Sequence, residues 1–180
     1  MADSLVVGGS SPWPEGTEPL RLLIAGLGNP IMADDGVGHE VVRRLERCDL
    51  PQHVRLAAID GDVMALTRLW KGEQAVWFVD AVSGDAPPGT RHVVDHQDLL
   101  ELPANRLSVH HPSIGESLRW MLHARPEMAA IEFRLYGIEA GAICPERALT
   151  LAVENAVSRI VSELQTAARN CPSVISNPVS

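Results

Sequence analysis

Two adjacent carboxylates, Asp34 and Asp35, follow an apolar strand and a glycine-rich turn near the start of the chain. In α/β proteins, functional groups lie beyond the carboxyl ends of parallel strands, so this is a position where chemistry is done. Acidic residues are also favoured at helix N-termini, where they cap the helix and interact with its dipole. Neighbouring helical residues point about 100° apart, so both cannot cap the same helix. We expect one of the two to cap the following helix and the other to project elsewhere.

Asp80 ends another apolar run, residues 75–79, and His110 and His111 lie in a loop before a predicted helix that begins at Ile114. A carboxylate at the end of such a strand is costly to bury unless it is paired, hydrogen-bonded or metal-bound. Carboxylate oxygens together with an imidazole nitrogen suit a divalent ion such as Ni²⁺, Zn²⁺ or Co²⁺. Three protein ligands leave positions open for water or substrate. The sequence therefore predicts a metal site, made of strand-end carboxylates and a histidine, at one end of a sheet.

Other kinds of catalytic site find little support in this sequence. Gly26 and Gly28 suggest a dinucleotide-binding turn, but Ile31 occupies the position of the third glycine of that fingerprint. The chain has no Gly-x-Ser-x-Gly elbow, no His-Glu-x-x-His motif and no cysteine in a recognisable nucleophile context. Asp60, which ends a further predicted strand just before Gly61, is interpreted first as a turn residue. Covalent catalysis therefore has no candidate nucleophile.

Strand-like and helix-like segments alternate along the chain. Apolar runs predict about five strands, at residues 21–25, 54–59, 75–79, 89–95 and 132–137. Helical periodicity predicts one helix that begins at Asp34 and four more at residues 63–70, 98–102, 114–123 and 147–168. The unbroken apolar run at 75–79 suits a parallel strand that is covered on both faces. This order predicts an α/β fold, a three-layer α/β/α sandwich with a mostly parallel five-stranded sheet.

The composition is that of a soluble globular protein. The chain has 180 residues, of which 46% are hydrophobic and 21% are charged, so we expect a single domain at 20–168, a disordered lead at 1–19 and a flexible tail at 169–180. The net charge of −8 disfavours nucleic acid or an anionic membrane as the main partner. No apolar run approaches the roughly 18 residues of a membrane-spanning helix. With three cysteines and no Cys-x-x-Cys pair, we expect a cytoplasmic monomer without a disulfide framework.

Several short motifs occur between residues 22 and 164 in an order and at separations that are similar to those of one known family. They are Gly26-Leu27-Gly28-Asn29-Pro30, Asp34-Asp35-Gly36-Val37-Gly38, Asp60-Gly61, Phe78-Val79-Asp80-Ala81-Val82, Pro88-Gly89-Thr90, Ser108-Val109-His110 and Tyr136-Gly137-Ile138-Glu139. By these motifs the chain resembles the endopeptidases that mature NiFe hydrogenases. The resemblance covers most of the chain, and the glycine-asparagine turn followed by the acidic pair is its most specific part.

The resemblance implies a function and a site. The implied function is that of an aspartyl-type, nickel-recognising protease that removes the C-terminal extension of the NiFe hydrogenase large-subunit precursor after nickel has been inserted. By the same resemblance, Asp35, Asp80 and His110 are the metal ligands, Asp35 and Asp80 are also the catalytic residues, and the substrate supplies the nickel. His111 stays an alternative ligand, because His111-Pro112-Ser113 follows His110 where the family often has an early glycine. Asp60-Gly61 resembles a further family element in the substrate groove.

Two other functions remain open at this point. Gly26-Leu27-Gly28-Asn29-Pro30 also resembles the first motif of peptidyl-tRNA hydrolases, although Met32-Ala33-Asp34-Asp35 replaces the segment which that family has next. The negative charge disfavours a tRNA substrate. A non-catalytic nickel-binding assembly factor is the other alternative, because it would keep the metal site and lack hydrolysis.

Overall fold

The computed structural model describes residues 20–102, 113–145 and 148–171. Within these residues, five strands form one sheet in the order β2-β1-β3-β5-β4. The strands are β1 (Leu22–Gly28), β2 (Val54–Asp60), β3 (Ala75–Val82), β4 (Arg91–Asp95) and β5 (Glu132–Glu139). The β1, β2, β3 and β5 strands are parallel, and β4 pairs with β5 in the antiparallel direction at one edge. The predicted mostly parallel five-stranded sheet is confirmed.

Helices cover both faces of the sheet. They are α1 (Val37–Leu45), α2 (Leu66–Leu69), α3 (His96–Glu101), α4 (Ile114–Ala124) and α5 (Leu151–Arg169). Side chains of α1 and α5 pack with one face of the central strands, and side chains of α3 and α4 pack with the other face. Every residue of β1 and β3 is buried, as expected for parallel strands between two helical layers. The predicted three-layer sandwich is therefore confirmed.

Gly38 allows the first helix to approach the centre of the sheet. A Cβ atom at this position would lie 2.3 Å from the carbonyl oxygen of Leu27 and 2.4 Å from that of Val79. No side chain fits at such distances, so α1 begins in direct contact with the backbones of β1 and β3. This contact places the turn that precedes α1 beside the carboxyl ends of both strands.

Two predicted helix boundaries differ from the structure. The acidic pair lies in a 3₁₀ turn, Ala33–Gly36, and α1 begins only at Val37. The last helix begins at Leu151 rather than near residue 147, because Thr150 has an extended backbone with ψ of 153° and its N–H group donates a hydrogen bond to the Asp34 carboxylate. None of the helices in the described ranges combines the length and hydropathy of a membrane-spanning segment.

Candidate active site

Asp35 lies at the carboxyl end of β1, in the 3₁₀ turn that leads into α1, and only 4% of its surface is exposed. Its Oδ2 atom accepts a hydrogen bond of 3.0 Å from the Asn29 N–H group. Gly28 packs directly against this turn, since a Cβ atom there would lie 1.8 Å from the carbonyl oxygen of Asp35. Gly28 also has φ of +120°, a backbone conformation that favours glycine. The Gly28-Asn29 turn therefore fixes Asp35 against the end of β1.

Ala33, which opens the 3₁₀ turn, has a strained backbone. Its φ is +47°, in a region that residues with a Cβ atom seldom adopt. The surrounding contacts hold the residue there, because Ala33 is 2% exposed and the next residue, Asp34, is completely buried. Strain of this kind is often found at functional sites, where the fold maintains a conformation that the local sequence disfavours.

Asp34 has a structural role that its partners define. Its carboxylate accepts hydrogen bonds from the N–H groups of Gly141 and Ala142, at 2.8 and 2.9 Å. It also accepts bonds from the N–H and hydroxyl groups of Thr150, at 2.6 and 2.9 Å. Neither Asp34 nor Asp35 caps the helix that follows it, so the prediction that one of them would do so is wrong. Asp34 instead binds residues distant in sequence, which makes it an anchor and leaves Asp35 as the acidic residue of the site.

Asp80 lies near the carboxyl end of β3 and is 2% exposed. The pKa of its carboxyl group is raised well above the usual range, first because burial removes solvent from the charged form and second because the charge of Asp35 repels it. A hydrogen bond with the backbone of Ala81 acts in the opposite direction and lowers this pKa. The repulsion means that the two predicted site carboxylates interact electrostatically.

The topology brings Asp35 and Asp80 together because β1 and β3 are parallel neighbours, with Gly26 paired to Val79. Asp80 follows Val79 directly, and Asp35 lies in the turn beyond β1. The predicted ligand His110 and its alternative His111 lie outside the described residues. Among residues 20–102, 113–145 and 148–171, no group of three or more His, Cys, Asp or Glu side chains has the arrangement of a metal site. The described part of the predicted site is thus a pair of buried carboxylates.

A groove of about 470 Å³ opens beside Asp35. Its lining residues are Gly28, Asn29, Met32, Asp35, Asp60, Gly61 and Ile143. Asp60 ends β2, and its side chain is 86% exposed. His39, a residue that the sequence did not single out, places Nε2 3.3 Å from the Asp60 carboxylate and 3.3 Å from the carbonyl oxygen of Ile59. Asp60 is therefore both a turn residue and a wall of the groove that contains Asp35.

Glu139, at the end of β5, is a further buried carboxylate that the sequence did not identify as a candidate. It is 2% exposed, accepts a hydrogen bond from the N–H group of Gly84 and lies 2.9 Å from Nε2 of His92. The only sequence feature that could have pointed to Glu139 is its place in the Tyr-Gly-Ile-Glu motif, and this motif does not indicate partners on β4 or in the loop after β3. Tertiary structure alone reveals this cluster.

A buried pair of interacting carboxylates can bind a divalent cation or transfer protons. Mutual repulsion favours one shared proton or a bound positive ion, because two adjacent ionised carboxylates are costly in a buried site. Such pairs serve as acid and base in hydrolytic enzymes. Asp35 of this pair also lines the groove described above.

Comparison with known proteins finds relatives and solved structures that are named as hydrogenase maturation proteases. No protein-family model matches the chain. A putative hydrogenase maturation protease of Methanocaldococcus jannaschii is 28% identical over 151 residues, which cover 80% of this chain and 96% of that protein. The hydrogenase 2 maturation protease of Escherichia coli is 27% identical over 156 residues, covering 83% and 92%. The solved structure of the NiFe hydrogenase maturation protease HybD from Thermococcus kodakarensis has a TM-score of 0.71 and 25% identity, covering 82% of this chain and 99% of that one.

Proposed function

We propose that the chain, which is similar over most of its length to hydrogenase maturation proteases, is a nickel-dependent endopeptidase that removes the C-terminal extension of a NiFe hydrogenase large-subunit precursor. The similar proteins are named as proteases, so the proposed activity is that of a hydrolase. Cleavage follows nickel insertion in the proposal, and the nickel belongs to the precursor. The similar proteins favour this function over the tRNA hydrolase and the assembly factor.

The observation that carries the proposal is the pair of buried carboxylates, Asp35 and Asp80, at neighbouring strand ends. Their exposed fractions are only 4% and 2%, and the charge of Asp35 raises the pKa of Asp80. This environment suits a divalent cation, which neutralises both charges and accepts oxygen ligands. The chemistry of the donor set therefore fits nickel, with His110 as the proposed nitrogen ligand.

In the proposed mechanism, Asp35, Asp80 and His110 bind the nickel that is already seated in the precursor. Binding holds the precursor so that its C-terminal segment lies in the groove beside Asp35. One carboxylate of the pair accepts a proton from the water that attacks the scissile carbonyl carbon, and it then donates this proton to the leaving nitrogen as the C–N bond breaks. When bound, the nickel supplies positive charge next to the reacting peptide.

This arrangement makes nickel recognition a checkpoint. A precursor without nickel offers the two carboxylates no cation, so docking gains nothing from relief of their repulsion, and the extension stays in place.

The experiment that tests the proposal is intact-mass spectrometry of purified precursor after incubation with the purified protein. Two matched precursor samples are needed, one loaded with nickel and one without metal. We expect a shorter large subunit only from the loaded sample. Equal cleavage of both samples would contradict nickel dependence, and no cleavage of either would contradict the protease proposal for this precursor.

His110→Ala and His111→Ala form a matched pair that tests the third ligand. We expect the first variant to lose processing of the nickel-loaded precursor and the second to retain it. Loss only in His111→Ala would assign the ligand to His111. Normal processing by both single variants would remove histidine from the proposed ligand set.

A further inference from the structure

Pairing between the strands does not by itself fix the spacing of Asp35 and Asp80. Along the described β1 and β3 strands, paired residues end at Gly26 and Val79. Pairing of β3 with β5 continues further, through Asp80 and Gly137 to Val82 and Glu139. Asp80 is therefore held by β5, whereas the turn that carries Asp35 lies beyond the last pairing of β1 with β3.

Segment 139–142, which includes the last residue of β5, adds a second connection to the backbone contacts of Gly28 and Gly38. The N–H groups of Gly141 and Ala142 donate to the Asp34 carboxylate, and the N–H group of Asp34 donates to the carbonyl oxygen of Ala142 at 3.1 Å. Thr150 donates twice to the same carboxylate. Asp34 thus fastens the 3₁₀ turn to segment 139–142, and Asp35 is its immediate neighbour.

Glu139 fastens the other end of segment 139–142. Its buried carboxylate binds the N–H group of Gly84 in the loop after β3 and also Nε2 of His92. Its backbone carbonyl accepts from Gly89, and its N–H group donates to Thr90, both at 2.8 Å. Glu139 therefore holds the start of the segment to both ends of the loop that leaves β3, the strand of Asp80.

We infer that Asp34, Thr150 and Glu139 are positioning residues that set the distance between the Asp35 and Asp80 carboxylates through segment 139–142. One end of the segment is fixed to the strand of Asp80 and the other to the turn of Asp35. Loss of either attachment releases the turn of Asp35 relative to β3 without removing a site carboxylate. The inference rests on the proposed function only for its catalytic readout.

Two pairs of variants separate positioning from simple packing. Thr150→Val removes the hydroxyl donor while keeping the shape, and Thr150→Ser keeps the donor. Glu139→Ala removes both side-chain contacts, whereas Glu139→Gln keeps an acceptor for Gly84 and can still pair with a neutral His92. Glu73→Ala is the matched control, because Glu73 is also a buried glutamate, 5% exposed, but it precedes β3 at the opposite end of the sheet and binds Arg55.

The first readout is cleavage of the nickel-loaded precursor, measured well below the unfolding temperature of each variant. We expect Thr150→Val and Glu139→Ala to lower kcat by about 10- to 100-fold, the usual range for loss of an outer-shell partner. KM should stay within about twofold, because the groove residues are unchanged. Thr150→Ser, Glu139→Gln and Glu73→Ala should keep kcat within about threefold of the wild type.

The second readout is the distance between the two carboxylates in crystal structures of the same variants, which does not depend on activity. A shift of at least about 0.5 Å in Thr150→Val and Glu139→Ala, but not in Glu73→Ala, is expected, since catalytic groups need to be held within about that tolerance. An unchanged distance, an unchanged kcat, or an equal loss in Glu73→Ala would overturn the inference. If the wild type does not cleave the precursor, the proposed function fails and the crystallographic distance still decides the positioning role.

Discussion

The carboxylates of Asp35 and Asp80 interact across neighbouring strand ends, and the charge of Asp35 raises the pKa of the more deeply buried Asp80. Burial is the larger cause of this shift and electrostatic repulsion the smaller one. Folding therefore holds two acidic groups in a place that disfavours their simultaneous ionisation. The pair lies at the carboxyl ends of the central strands, and Asp35 also lines the groove.

Asp80→Asn should stabilise the protein at neutral and alkaline pH while it abolishes precursor processing. The pKa of Asp80 is higher in the folded state than in the unfolded chain, so its favourable contribution is present below the unfolded pKa of about 3.9 and is lost as the pH rises through the folded pKa. The free energy of unfolding of the wild type should therefore fall relative to that of Asp80→Asn as the pH rises. Urea unfolding of both proteins across the pH range measures this difference, and a difference that does not change with pH would contradict it.

Asp35→Asn should lower the pKa of Asp80, because it removes the repelling charge and leaves burial in place. The pKa should stay above the usual value for an aspartate, since burial is the larger cause. Carbon-13 NMR titration of the Asp80 carboxyl group provides the measurement. Asp62→Asn is a suitable control, because Asp62 binds Met64 in the turn after β2. If the titration of Asp80 were the same in all three proteins, the electrostatic pairing of Asp35 and Asp80 would be refuted.

Gly38→Ala should destabilise the protein more than Gly61→Ala does. A methyl group at position 38 would overlap the carbonyl oxygens of Leu27 and Val79, and overpacking of this kind costs about 1–3 kcal/mol or more. Gly61 has φ of +80°, but no atom lies within 4 Å of the position that a Cβ atom would occupy there, so its substitution by alanine carries only the backbone cost of about 1–2 kcal/mol. Urea unfolding of both variants compares the two effects. Equal stability of the two variants would show that α1 can move away from the strands.

Asp60→Asn should raise KM for the precursor with little change in kcat. Asp60 lines the groove beside Asp35 and is exposed, so it is placed to contact a bound segment rather than the reacting bond. Removal of one charge at an exposed position typically changes binding by about 0.2–1 kcal/mol. Steady-state cleavage measurements test this, with Asp62→Asn as the matched control two residues away. A fall in kcat at constant KM would instead place Asp60 in the chemical step.

The strand-end carboxylates and the sheet could be predicted because they depend on local pattern. Unbroken apolar runs define β1 and β3. The carboxyl ends of parallel neighbouring strands lie together whatever conformation the connecting loops adopt. Asp80 could be singled out because it directly follows such a run. These features need no knowledge of distant contacts.

The sequence could not predict that Asp34 anchors the turn while Asp35 is the acidic residue of the candidate site. The partners of Asp34 lie more than 100 positions away in the sequence. The contacts of Asp34 with Gly141, Ala142 and Thr150 arise only after β5 and α5 have packed. The same contacts keep Thr150 extended and move the start of α5 from the position that periodicity predicts. Glu139 and His39 could not be identified because their partners lie 20 to 55 positions away in the sequence. The role of His110 stays a prediction.

The most direct test of the central claim is mass spectrometry of the hydrogenase large subunit co-expressed with the wild type, Asp35→Asn or Asp80→Asn, with and without nickel in the medium. We expect loss of the C-terminal extension only with the wild type and only with nickel. Circular dichroism of each purified variant confirms that the fold is intact. Processing at the wild-type rate by Asp35→Asn or Asp80→Asn would contradict the claim that these two carboxylates form the active site.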